Sequence, residues 1–293
     1  MYTESMKLTA TQRKDMKHVL FTLILIVFIG VAYYLSSNPK KLPNLQVQAP
    51  SASPTAVPFT TYKKPVIKKS DRYDIYLIGD SMMHAFGPRG GRFNESMSQA
   101  FPDDFFEISN YAEANQSILL LPERLNQEVQ ADHDLLLKPI IKGDPELIII
   151  ESFGYNPLSQ LGITEGLKKQ TEVLTQVMTT LTNKFPNTAI MFMATISPDK
   201  KTYGQKVTNS DADSRWAQAE ERIEYINNHI KFALEHNIPL INAYEGSLDA
   251  QGNGKTQYIN PDDNIHPSDE GLIYMGALMK DRIGEEKIFP ISK

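Results

Sequence analysis

Leu147-Ile148-Ile149-Ile150-Glu151 is apolar at every position but its last. A strand with one wet face alternates apolar and polar residues. A run without that alternation suits a strand covered on both faces, as in a parallel sheet. Working outward, residues 73–78, 105–110, 189–196 and 238–243 read as four more strands. Between them, 122–137 reads as helical, and 164–185 has helical spacing through Leu167, Thr171, Leu174, Val177, Met178 and Leu181. Residues 213–236 read as a long helix with Asp213 or Ser214 as its cap, and 272–283 as a last helix. Strands alternating with helices predict an α/β fold, a three-layer α/β/α sandwich around a five-stranded parallel sheet. No internal repeat is present.

In such folds chemistry gathers at the ends of elements. Gly79-Asp80-Ser81 follows the first strand, and Asp263-Asn264-Ile265-His266-Pro267 precedes the last helix. Serine is a weak nucleophile until a base takes its proton. Histidine is such a base when a carboxylate fixes its ring and tautomer. Asp-x-x-His can deliver base and orienter from one loop, and a strand end can deliver the serine. Each half alone is weak: Gly-Asp-Ser suits any turn, His266 has the bland reading of a surface histidine, and Asp263 that of a turn residue or helix cap. Their joint placement raises Ser81, Asp263 and His266 to candidate catalytic residues.

With Gly154-Tyr155-Asn156-Pro157 after strand 147–151, these segments resemble, in order, the motif blocks of the SGNH hydrolases, the GDSL-type esterase superfamily. The resemblance spans about residues 73–283. It implies a flavodoxin-like fold, Ser81 as nucleophile, His266 as base and Asp263 as its orienter. It also implies an oxyanion hole made by the Ser81 backbone N–H and the Asn156 side-chain amide. Two departures stand out. The family's aspartate after the asparagine is Pro157 here. The family's second-block glycine, a backbone N–H donor, has no counterpart in Asn110-Tyr111-Ala112-Glu113-Ala114-Asn115-Gln116-Ser117. Asparagine tolerates positive φ better than other non-glycine residues. Asn115 is therefore the candidate third donor, with Ala112 second.

The chain has 293 residues and no cysteine. That excludes disulfides, a thiol nucleophile and cysteine-ligated metal. Residues 19–35 are 17 positions without a charge, preceded by Lys7, Arg13, Lys14 and Lys17. This is the short end of a membrane span, and the basic flank predicts a cytoplasmic N-terminus, residues 1–18, with the rest outside the cell membrane. A cleaved signal peptide is the competing reading; an uncleaved single-pass anchor is favoured because no convincing cleavage site follows. Residues 36–70 hold six prolines and six lysines with no acidic residue, the composition of an extended linker. Residues 71–293 then form the catalytic domain.

Of the total charge of −5, the first 35 residues carry +2 and the next 35 carry +6, which leaves −13 on 71–293. So acidic a domain is a poor nucleic-acid partner. Arg89 and Arg92, in a Gly-rich loop, are candidates for an anionic substrate group against the blander reading of a flexible surface turn. His84 is a candidate pocket residue. His133, His229 and His236 read as surface or packing residues on helices, Met82, Met83, Met191 and Met193 as core or pocket wall, and Trp216 as packing rather than a sugar platform. No metal-ligand pattern and no cofactor motif is present in the sequence.

These features predict an extracytoplasmic serine esterase acting on short-chain, acetyl-type esters of cell-surface glycans such as O-acetylated polysaccharide. An O-acyltransferase on the same fold, or a weakened glycan-binding module, are the alternatives.

Overall fold

A computed structural model describes residues 59–290. The expected anchor, 19–35, lies outside the described residues, as do 1–18 and most of the expected linker.

The apolar segments pair as expected. Strands β1 (Arg72–Ile78), β2 (Phe105–Asn110), β5 (Leu147–Glu151), β6 (Ala189–Ala194) and β7 (Leu240–Asn242) form one sheet in the order β2-β1-β5-β6-β7. All its pairs are parallel, with Ile75 opposite Leu147 and Ile78 opposite Ile150 in the centre. β5 is buried at all five positions and β6 at all six. Helices Gly91–Ala100 and Asp269–Glu285 cover one face through Phe93, Met97, Met275, Met279 and Ile283. Helices Ile163–Lys184 and Ala212–Glu235 cover the other through Val173, Leu174, Val177, Leu181 and Phe232. Met82, Met83, Met191 and Met193 are core residues.

The chain moves from β1 outward to β2, then returns to add β5 on the other side of β1. The sheet's direction of growth therefore reverses between β1 and β5. Their carboxyl ends open the crevice where parallel α/β folds place ligands.

Three expectations need correction. Residues 122–137 are not one helix. A single turn, Leu121–Arg124, with proline at its start, gives way to an antiparallel hairpin of β3 (Val129–Asp132) and β4 (Leu135–Leu137). The alternation Val129-Gln130-Ala131-Asp132 is a period-two signal, and His133 sits exposed in the hairpin turn rather than on a helix. The cap of the long helix is Asp211, whose carboxylate accepts from Ser214 N at 2.8 Å. On that helix His229 is a packing residue, one of the two readings the sequence allowed: it is fully buried and stacks on Phe192 at 4.3 Å between centroids, and burial lowers its pKa to about 3, so it is neutral. Lastly, the expected linker ends early. Tyr62 and Ile67 are buried in the two core clusters, Tyr62 N donates to His236 O at 2.8 Å, and Tyr62 Oη accepts from Ile190 N at 2.7 Å. The segment 59–70 is thus part of the folded domain.

Candidate active site

Ser81 lies directly beyond the end of β1. Gly79 and Asp80 turn the chain, and Ser81 opens a one-turn helix, Ser81–His84. Asp80 is its cap, with Oδ1 accepting from Met82 N at 2.9 Å. The first N–H groups of a helix have no partner within it, so the Ser81 N–H points out of the turn. Glycine is required at position 79: a Cβ there would lie 2.7 Å from Met83 Cβ and 2.8 Å from Glu151 Cβ. Ser81 itself is 9% exposed.

Asp263 and His266 come together as their spacing suggests. Asp263 Oδ2 meets His266 Nδ1 at 2.7 Å. Its Oδ1 accepts two backbone bonds, from Ile265 N at 2.7 Å and His266 N at 3.0 Å. Asn264 takes positive φ, 57°, to close this turn. Burial works to raise the Asp263 carboxyl, but the bonds from His266 and Ile265 outweigh it and hold the acid below its ordinary range. The loop is braced on both sides, by Asn260 N to His266 O at 2.8 Å and Gly204 N to Asn264 O at 3.2 Å. His266 is within electrostatic reach of Asp80, the residue before Ser81. No hydrogen bond joins Ser81 Oγ to the His266 ring in this structure; such contacts often tighten only when substrate is bound.

Asn156 follows β5, in a loop held closely against the helix Ala212–Glu235. A Cβ on Gly154 would come within 2.5 Å of Ile226 Cγ1. Asn156 Nδ2 donates to Asp80 Oδ2 at 2.9 Å, so the asparagine is tied to the residue beside the nucleophile. An amide nitrogen carries two hydrogens, and the second is free of that bond.

Asn115 has φ of 59°, the left-handed conformation that asparagine tolerates, and it is exposed. Ala112, the second candidate donor, is excluded, because its N–H is spent on Asn110 Oδ1 at 3.1 Å. Asn110 also donates to Met83 O and Gly87 O, each at 2.9 Å, and so pins the Gly-rich loop. That loop is neither a free turn nor an anion site at Arg92. The Arg92 guanidinium is taken by Asp269, through three bonds of 2.9 to 3.0 Å, and by Glu95. Arg89 is exposed beside Glu107. His84 is exposed at the end of its turn. Trp216 is 38% exposed, with the Lys200 ammonium over its ring at 4.9 Å, so it is not a core residue.

Sequence reasoning passed over Glu151. It ends the apolar run of β5 and is fully buried. It accepts from Phe153 N at 2.9 Å, Asp80 N at 3.4 Å and the Ser152 hydroxyl. Phe153 is a buried non-glycine residue at φ 54°, a conformation that persists only where the surroundings enforce it. The signal available was a single acid at the end of a strand otherwise wholly apolar.

A family model described as GDSL-like Lipase/Acylhydrolase matches residues 75–279. Among curated proteins, no match was found. Among solved structures, a candidate GDSL-like lipase from Parabacteroides merdae aligns with a TM-score of 0.55 at 16% identity, over 75% of this chain and 99% of that one. A GDSL-like lipase from Bacteroides thetaiotaomicron aligns at 0.52 and 12% identity, over 73% and 89%. A lipase/acylhydrolase from Enterococcus faecalis aligns at 0.50 and 17% identity, over 75% and 100%. At these identities the structural likeness speaks for the fold.

Proposed function

The chain belongs to the GDSL-like lipase/acylhydrolase family of ester hydrolases, and from that premise we propose that it is a serine esterase that removes short acyl groups, acetyl above all, from surface glycans. Ser81 Oγ attacks the ester carbonyl as His266 Nε2 takes its proton. Asp263 keeps the remaining hydrogen on Nδ1. The oxyanion receives the Ser81 N–H, the Asn156 amide and the Asn115 N–H. His266 then gives its proton to the leaving alcohol, and water resolves the acyl-enzyme by the same route reversed. One observation carries this reading: the 2.7 Å bond between Asp263 and His266, with His266 within electrostatic reach of Asp80.

Two features support a short acyl group on a neutral polymer. The net charge of −13 on 71–293 disfavours anionic esters. The groove of about 920 Å³ bordered by Ile67, Phe101, Ile288 and Phe289 is beside Tyr73, at the start of β1. Ser81 follows the other end of that strand, on the order of 20 Å away at ~3.3 Å per residue, so the groove does not border the serine. Tethering outside the cell membrane through residues 19–35 belongs to the same reading.

The test is acetate release from O-acetylated polysaccharide beside a chain-length series of nitrophenyl esters, wild type against Ser81→Ala. Acetate release that Ser81→Ala abolishes is expected. Preference for long chains without acetate from glycan would leave a lipase, release only with an acceptor sugar a transferase, and no turnover a binding module.

A further inference from the structure

Asp80 and Glu151 are both fully buried, and Asp80 N donates to Glu151 Oε2 at 3.4 Å, which sets the two acids side by side. An ionised carboxylate only accepts. Two acids crowded into a dry site do not both ionise, so one of the pair keeps its proton. The bonds to the pair are donated to it, by Met82 N and Asn156 Nδ2 to Asp80 and by Phe153 N, Asp80 N and Ser152 Oγ to Glu151. None of the backbone donors can reverse.

Resting on the esterase reading above, we infer that Glu151 is a positioning residue of this site: it stays protonated beside Asp80, and through its bonds to the Asp80 turn and to Phe153 it holds the Asn156 amide at the oxyanion position. One acid of the pair stays neutral and the other carries a single charge. That charge binds the Asn156 amide and faces His266, where the imidazolium forms. Burial, then the charge of Asp80, raises Glu151 well above the ordinary carboxyl range, which puts the proton on Glu151. The other ionisable groups around the pair leave this assignment standing. Tyr155 and Tyr203 are neutral, their hydroxyls pushed up first by burial. Arg222 meets the Tyr203 ring at 4.9 Å and acts on the tyrosines, and Asp263 acts on Tyr203 and is paired with His266.

Glu151 also joins the two halves of the hole. It accepts from the turn that carries Ser81 and from the strained residue that starts the Asn156 loop. Its loss would free both at once.

The experiment uses the full chain and two readouts. Infrared difference spectra at neutral pH, wild type against Glu151→Gln, are expected to contain the carbonyl stretch of a protonated carboxyl group that the variant lacks. In nitrophenyl acetate turnover, Glu151→Leu should lose at least about tenfold in kcat, up to the 10²–10³ of a missing oxyanion donor, with KM within about threefold. Glu151→Gln, which keeps the shape of the neutral acid and an oxygen for Asp80 N and Phe153 N, should rescue most of that loss. A wild-type spectrum without the band overturns the inference. So does a folded Glu151→Gln as slow as Glu151→Leu. If wild type has no turnover that Ser81→Ala abolishes, the esterase reading fails by itself, and the infrared comparison still decides whether Glu151 is protonated.

Discussion

Exchanging Asp263 for asparagine should silence the site while leaving the loop folded. Asp263 Oδ1 accepts two backbone N–H groups, from Ile265 and His266, at 2.7 and 3.0 Å. Only an oxygen can serve there, so the asparagine carbonyl must occupy the Oδ1 position. Its NH₂ then occupies the Oδ2 position, 2.7 Å from His266 Nδ1 in the native loop. Two donors cannot face each other, so His266 must accept on Nδ1 and carry its hydrogen on Nε2. That tautomer cannot take the Ser81 proton. The corresponding exchange in a serine protease triad costs about 10⁴ in kcat, or roughly 5.5 kcal/mol at ~1.4 kcal/mol per decade. The assay is initial-rate turnover of nitrophenyl acetate at neutral pH, with Ser81→Ala as the blank and thermal unfolding as the control. Turnover within tenfold of wild type by a folded Asp263→Asn protein would refute the argument, because it would mean that Asp263 does not set the tautomer of the working base.

Three further outcomes follow from the geometry. Asn156→Ala should reduce turnover by about 10²–10³ while leaving the unfolding midpoint little changed; unchanged kcat would assign Asn156 to the turn alone. Tyr62→Phe strands the Ile190 N–H at the start of β6, at a cost of about 1–3 kcal/mol in urea unfolding, and no measurable change would mean that water replaces the hydroxyl. The Asp80–Glu151 pair also sets a pH dependence. Its raised Glu151 makes the folded state hold a proton that the unfolded chain releases near pH ~4.3. That contribution is full below the unfolded value and is lost as pH rises toward the folded one. The stability of wild type relative to Glu151→Gln should therefore fall by up to about 1.4 kcal/mol per pH unit across that window, and parallel curves would contradict it.

Much of this arrangement was legible before the structure. Doubly buried strands advertise themselves by lacking alternation, and β5 reads correctly to the residue. Asp263 and His266 are three apart, so a single turn brings them together. Asn115 was readable as a position of positive φ because asparagine is among the few side chains that take a glycine's conformation. Other features depend on partners far away in sequence. Tyr62 and Ile67 sit among prolines and lysines, and two apolar residues in such company give no periodicity. The β3–β4 hairpin has four and three residues, too short a pattern to outweigh leucine-rich surroundings. Glu151 looks like the polar end of a strand until Asp80, 71 residues earlier, is beside it. The partner that occupies Arg92, Asp269, is 177 residues away.

The strap formed by 59–70 has a practical consequence. It runs beneath the sheet, where Tyr62 meets the start of β6 and Ile67 joins the core near the start of β1, whereas Ser81, Asn156 and His266 stand beyond the opposite ends of the strands. The polypeptide therefore enters the domain through its floor. A resin or fusion partner joined directly at Phe59 would hold the domain from the side opposite those residues. An immobilised preparation made through that end should keep its working face toward the bulk solution, whereas coupling through surface groups around the Gly-rich loop would bury that face against the support.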